Sequence, residues 1–208
     1  MNLSIDDYKK ILLYLAGSMS EHKQELIELD SIMGDSDLGL TMEKAFSVSS
    51  KAMQDSTETD IGKFLFQTGM AMSEAAPSSM GTLIASAFMQ AGKNLKGKTE
   101  TAPEDWKLFA VGLRDGIVNR GKAVPGEKTI VDVLVPVAQA LENDSSGSHK
   151  EIFERLETVA AEALEKTKTM KAQHGRAAYF GDKSIGVQDA GATVAYIIYK
   201  SLSNYFKE

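Results

Sequence analysis

The chain has 208 residues, enough for one compact domain spanning 1–208 with a buried core. At 43% hydrophobic and 25% charged residues it has ordinary globular composition, which excludes a disordered segment. A net charge of −6 excludes the global basic field of a nucleic-acid or anionic-membrane binder, and the absence of cysteine excludes disulfide scaffolds, thiolate zinc sites and cysteine nucleophiles.

In chain order, MNLSIDDYKK carries two aspartates and no apolar core, unlike a secretory signal. No run reaches the ~18 apolar residues of a membrane span, so the expectation is a soluble, cytoplasmic protein. Behind Ser4, an N-cap, Ile5, Tyr8, Ile11, Leu12 and Leu15 recur at helical spacing. Asp30 falls near a helix end, and the stretch 30–41 interrupts the helical pattern. Gly34 allows a sharp turn there, Asp35 and Asp37 can project together, and a helix begins at Gly39 to Thr41. Three converging carboxylates need a cation or must protonate, and oxygen ligands without His or Cys favour Mg²⁺ or Ca²⁺. A solvated acidic turn fits Asp-x-Asp equally. An EF-hand does not, because Leu40 stands where Gly is required and Phe46 where Glu is required.

Pro77 to Thr82 form a second interruption, read as non-helical. Its hydroxyls fit either N-capping or donation to phosphate oxygens. Thr101 to Glu104 have capping-box spacing, followed by Trp106, Phe109, Ala110 and Leu113 on one face. Arg120 to Thr129 resemble a P-loop, but Glu127 separates Gly126 from Lys128 and no strand precedes them, so Walker chemistry is rejected. Thr129 to Val135 are β-branched enough for a strand, although their neighbours favour helix, with Asp132 one turn on. Residues 142–147 read as an interhelix turn before a Ser148–Glu151 capping box. The stripe beyond it runs through Ile152, Leu156, Val159, Ala163 and Met170. The third irregular stretch, 173–191, is either a mobile surface loop or a lid whose Arg176 clamps an anion, with a helix opening after Asp189. His22, His149 and His174 lie apart and are expected to be exposed. The last helix carries Ala195, Ile198, Leu202 and Tyr205, for about eight helices in an all-α fold; the methionines and phenylalanines on these faces are read as core.

Taken together, Leu29-Asp30, Gly34-Asp35-x-Asp37-x-Gly39, Gly126 to Asp132, Gly175-Arg176-Ala177 and Ser184 to Thr193 resemble the nucleotide-binding (L) subunit of dihydroxyacetone kinase. The resemblance spans almost the whole chain, at the length of the freestanding phosphotransferase-system type. It implies an antiparallel barrel of eight helices with the nucleotide at one end. It further implies that Asp30, Asp35 and Asp37 hold Mg²⁺, two ions being expected. Leu38, Gly39, Leu40, Thr41, Ser78, Ser79, Gly121, Ile130, Arg176, Asp189, Ala190 and Gly191 would surround the nucleotide. By the same resemblance, permanently bound ADP is phosphorylated by a phosphohistidine carrier protein and passes the phosphoryl group to a ketone on a partner subunit. No catalytic residue is assigned to this chain. Leu38 replaces the family's common His, and Ser78-Ser79-Met80 its Ser-Gly-Pro. These departures leave open an ATP-dependent triose or tetrulose kinase subunit and a non-catalytic nucleotide-sensing paralogue. The homodimeric state is open too.

Overall fold

The computed structural model describes residues 1–207, and every long element among them is an α-helix. The helices are α1 (Ile5–Glu21), α2 (Lys23–Ser31), α3 (Leu38–Gln54), α4 (Ile61–Ala75), α5 (Ser79–Asn94), α6 (Trp106–Gly121), α7 (Val131–Asn143), α8 (His149–Lys166) and α9 (Ala190–Tyr205). Short 3-10 segments cover Pro103–Asp105, Thr167–Thr169 and Arg176–Ser184. Helix α1 packs on α3, each helix from α3 onward packs on the next, and α9 closes on α1, making an antiparallel ring of eight with α2 beside α3. The expected number of helices therefore holds if the short α2 is counted as the tail of α1.

The predicted stripes are the inward faces. Tyr8, Ile11, Leu12 and Leu15 are buried in α1, and Ile198 and Leu202 in α9. The interface between α5 and α6 is close because it is built on small residues: a Cβ on Gly116 would lie 2.3 Å from the Ser86 carbonyl oxygen. Trp106 centres an aromatic cluster, with ring centroids 4.8 Å from Phe153 and 5.3 Å from Phe109 in edge-on geometry.

Several local readings are corrected. Asp7, at the third position of α1, accepts both the Ser4 N–H and its hydroxyl, whereas the box expected at Thr101 does not form, and one residue later Asp105 accepts the Ala102 N–H with no reciprocal side-chain bond. Thr101 instead bridges to Leu3 as extended backbone. The 129–135 run is helical from Val131, as its neighbours indicated, and the continuous burial of Ile130 to Leu134 follows from packing against α6, α8 and α9. Helix α8 opens on the expected Ser148–Glu151 box but stops at Lys166, so Met170 lies outside its stripe. Residues 79–82 are helical, and 3-10 turns occupy much of 173–191. Met70 and Phe180 are exposed rather than core.

His149 is buried, not exposed. Its Nδ1 accepts the Trp106 Nε1–H at 2.8 Å and its Nε2–H donates to the Met1 carbonyl at 2.9 Å, which fixes a neutral tautomer. Burial, the largest influence, pushes its pKa below the ordinary 6.5. The unfolded chain then binds the extra proton first, so this group's stabilisation is intact above pH 6.5 and is lost on acidification below it. His149→Gln keeps both hydrogen bonds without titrating. Melts of the two proteins are expected to run parallel above pH 7, with the wild type losing ground as the pH falls below 6.5.

Candidate functional site

In an antiparallel ring, alternate helices start at the same end, and here the starts of α3, α5, α7 and α9 surround a cavity of about 640 Å³. That volume lies within the roughly 300–1,000 Å³ of small-molecule sites. Four helix N-termini aim their positive dipole ends and N–H groups toward it, which suits an anion.

One wall is the turn between α2 and α3. Asp30, in the last turn of α2, accepts the N–H groups of Asp37 (3.0 Å) and Leu38 (3.4 Å), so it both caps α3 and fixes the turn. Ser36 takes a left-handed conformation (φ 63°) that throws Asp35 and Asp37 to the same side. Oxygens of Asp30, Asp35 and Asp37 lie within 4.8 Å of one another. At an effective dielectric of about 20, each such pair repels by roughly 3 kcal/mol. Burial first, then the charges of Asp35 and Asp30, raise the pKa of Asp37. An all-oxygen donor set under mutual repulsion fits a hard divalent cation such as Mg²⁺. Arg176 supplies positive charge there, its Nη2 2.7 Å from Asp35 Oδ2.

Gly34 makes this geometry possible, since a Cβ there would lie 2.0 Å from Asp30 Oδ1. Gly34→Ala must turn the Asp30 carboxylate away from the Asp37 and Leu38 N–H groups. The expected result is a weakening of Mg²⁺-dependent nucleotide binding by about tenfold or more, measured by titration calorimetry, with the far end of the ring unaffected.

The opposite wall is the start of α5 with the connections 122–130 and 167–189. Ser78 caps α5 by accepting the Gly81 N–H, which leaves its own O–H available to a phosphate oxygen, so the two sequence readings are compatible. Asp132 accepts the N–H groups of Gly126 (2.6 Å) and Thr129 (2.7 Å) and holds the 126–132 turn in shape. Asp189 caps α9 through the Ala192 N–H, and burial pushes its pKa up to about 6 against the pull of that bond and of Lys128. Glu127 Oε2 meets His174 Nε2 at 2.6 Å, and its backbone carbonyl accepts the Gln173 N–H. The 173–184 segment thus lies over the cavity mouth, tied to Glu127 on one side and through Arg176 to Asp35 on the other.

The structure brings Asp30, Asp35, Asp37, Leu38, Ser78, Ser79, Gly121, Ile130, Arg176, Asp189, Ala190 and Gly191 to the cavity wall. Gly39, Leu40 and Thr41 are not on it. Gly39 is buried against α2, and Leu40 is half exposed on the outside of α3. Sequence reasoning missed Lys128 and the apolar lining of Leu29, Met33, Leu83 and Ile117. The apolar residues read as core stripe, and nothing local distinguishes a stripe residue that ends at a cavity. His174 is exposed as expected yet stands at the cavity mouth.

The ADP-binding subunit DhaL of the PEP-dependent dihydroxyacetone kinase of Escherichia coli is 34% identical over the full length of both chains. The corresponding subunit of dihydroxyacetone kinase 1 of Listeria innocua is 35% identical over 88% of each. The L-erythrulose 1-kinase of Mycolicibacterium smegmatis is 32% identical over 89% of this chain, which spans only 33% of that longer protein. The dihydroxyacetone kinase of C. freundii, solved in complex with AMP-PNP and Mg²⁺, superposes with a TM-score of 0.72 over 95% of this chain and 33% of its own, at 20% identity, a likeness of fold. No helix among the described residues is long and apolar enough to cross a membrane. With the DAK2 domain model matching residues 32–204, from the carboxylate turn through the last helix, the chain belongs to the DAK2 domain family.

Proposed function

We propose that residues 1–208 act as one nucleotide-binding subunit of a dihydroxyacetone kinase driven by a phosphohistidine carrier protein. ADP would sit in the 640 Å³ cavity as a retained cofactor, receive a phosphoryl group from the carrier, and pass it to dihydroxyacetone or a related short-chain ketone on a partner subunit. The observation that carries this reading is the facing of three clustered carboxylates by Arg176 in a cavity ringed by helix N-termini. The full-length similarity to ADP-binding kinase subunits supports it.

Asp30, Asp35 and Asp37 would hold Mg²⁺, two ions being our expectation, and the metal supplies neutralisation of phosphate charge. The chain's own residues do the remaining work. The N-termini of α5 and α9 and the Ser78 hydroxyl would receive phosphate oxygens, and Leu83, Ile117 and Ile130 offer an apolar surface to the base. Gly121 and Gly191 keep that space open, and Arg176 would stabilise the charge on the group in flight.

The test is reconstitution of the purified chain with a ketone-binding subunit, a phosphohistidine carrier protein and dihydroxyacetone. Ketone phosphorylation without added ATP is expected; no transfer in the complete mixture would refute the proposal. Free exchange of bound ADP for labelled ATP would instead select an ATP-dependent subunit. A parallel arm with erythrulose reads the acceptor.

A further inference from the structure

Lys128 is a lysine at 2% exposure, in a left-handed backbone conformation (φ 60°), with its ammonium inside the protein. It makes no ion-pair contact. Its Nζ donates to the carbonyl of Thr167 at 2.6 Å and to that of Val187 at 2.5 Å. Those two carbonyls belong to opposite ends of the connection between α8 and α9, the first where the chain leaves α8 and the second just before Asp189. Few side chains can satisfy two buried carbonyls from separate segments at once, and a desolvated ammonium is justified only when its donors are so used.

Other bonds converge on the same closure. The Gly186 N–H donates to the Lys168 carbonyl at 2.7 Å, the Asp189 N–H to Thr167 Oγ1 at 3.1 Å, and the Ala172 N–H to Ser184 Oγ at 2.9 Å. The connection is therefore a loop pinched at its stem, and Lys128 reaches the pinch from the neighbouring 122–130 connection. Its backbone is itself held by Asp132, whose carboxylate receives the adjacent Thr129 N–H. Burial lowers the pKa of the ammonium, while Asp189 and Asp132 pull it back up.

We propose that Lys128 is a positioning residue: its ammonium staples the two stems of the 167–189 connection and so sets where Arg176 and Asp189 stand on the cavity wall. Although its sequence context imitates a P-loop lysine, two of its three donors are taken by protein carbonyls. The consequence for nucleotide binding rests on the function proposed above; the staple itself does not.

The test has two arms. In nucleotide-free protein, hydrogen exchange is compared for wild type, Lys128→Met and the exposed control Lys122→Met. Amides of 168–188 are expected to exchange about tenfold faster or more in Lys128→Met alone, with α4 to α6 unchanged. In the second arm, calorimetry with Mg²⁺ and ADP is expected to show at least about tenfold weaker binding by Lys128→Met and recovery of most of it by Lys128→Arg, whose guanidinium keeps the positive charge and donors for both carbonyls. Unchanged exchange in 168–188, or equal acceleration in every helix, overturns the staple. Local acceleration with wild-type affinity overturns the positioning role. If the wild type itself fails to bind Mg·ADP, the functional reading and the positioning role fall together, while the exchange arm still decides the staple. Should Lys128→Met not fold, Lys128→Gln is read by the same criteria.

Discussion

Asp35→Ala is expected to abolish Mg²⁺-dependent ADP binding while leaving the helical ring intact. Even the groups that only support metal ligands cost roughly 10–100-fold in metal affinity when removed, and a direct ligand in a three-carboxylate set should cost at least the upper end of that range. Asp35 is exposed, so its loss removes charge without opening a cavity in the core. Circular dichroism and the melting temperature should stay near those of the wild type, while calorimetry shows no ADP binding at concentrations that saturate the wild type. Asp35→Ala also frees Arg176 from its 2.7 Å contact. If ADP binding were governed by this arginine alone, the variant would bind more tightly, and that result would reverse the roles assigned to the two residues.

Arg176→Ala is expected to act on turnover more than on binding. The guanidinium is exposed and lies on the 173–184 segment, paired with Asp35 in the absence of a cation. Once a divalent ion engages Asp35, that pairing would compete with a stronger partner, and the guanidinium, on the same cavity wall, would be free to turn to phosphate oxygens. An arginine placed on a transferring phosphoryl group is worth on the order of 10³–10⁵ in rate. In the reconstituted system Arg176→Ala should therefore lose about a thousandfold or more in kcat, with ADP affinity changed far less. Arg176→Lys should recover little, because an ammonium cannot offer the planar two-donor fork. Equal losses in binding and turnover would make Arg176 a simple binding residue.

The carboxylate turn was legible in the sequence because all of its parts are local. Asp30 reaches Asp37 across seven residues, and the glycine and the two projecting aspartates lie within the same short stretch. The helices were legible for a related reason, since burial on one face leaves a spacing of three and four in the chain. What failed was long-range. His149 meets Trp106 and Met1 across 43 and 148 residues, and only that meeting turns an ordinary surface residue type into a buried neutral one. Lys128 depends on carbonyls 39 and 59 residues away, which carry no side-chain signature at all. Gly39 to Thr41 erred differently. They belong to the right helix start, but a helix turns about 100° per residue, so Gly39 and Leu40 rotate off the face that Leu38 presents, and Thr41, nearly a turn farther along, is also off the cavity wall.

The central claim is that clustered carboxylates draw a nucleotide diphosphate into this cavity through divalent cations. Calorimetric titration of nucleotide-free protein with ADP, in excess Mg²⁺ and again in EDTA, measures it directly. The account predicts saturable one-to-one binding in Mg²⁺ that weakens by about a hundredfold or more in EDTA, because three aspartates then face the phosphates unscreened. Equal affinity in the two buffers, or no binding in either, would contradict it.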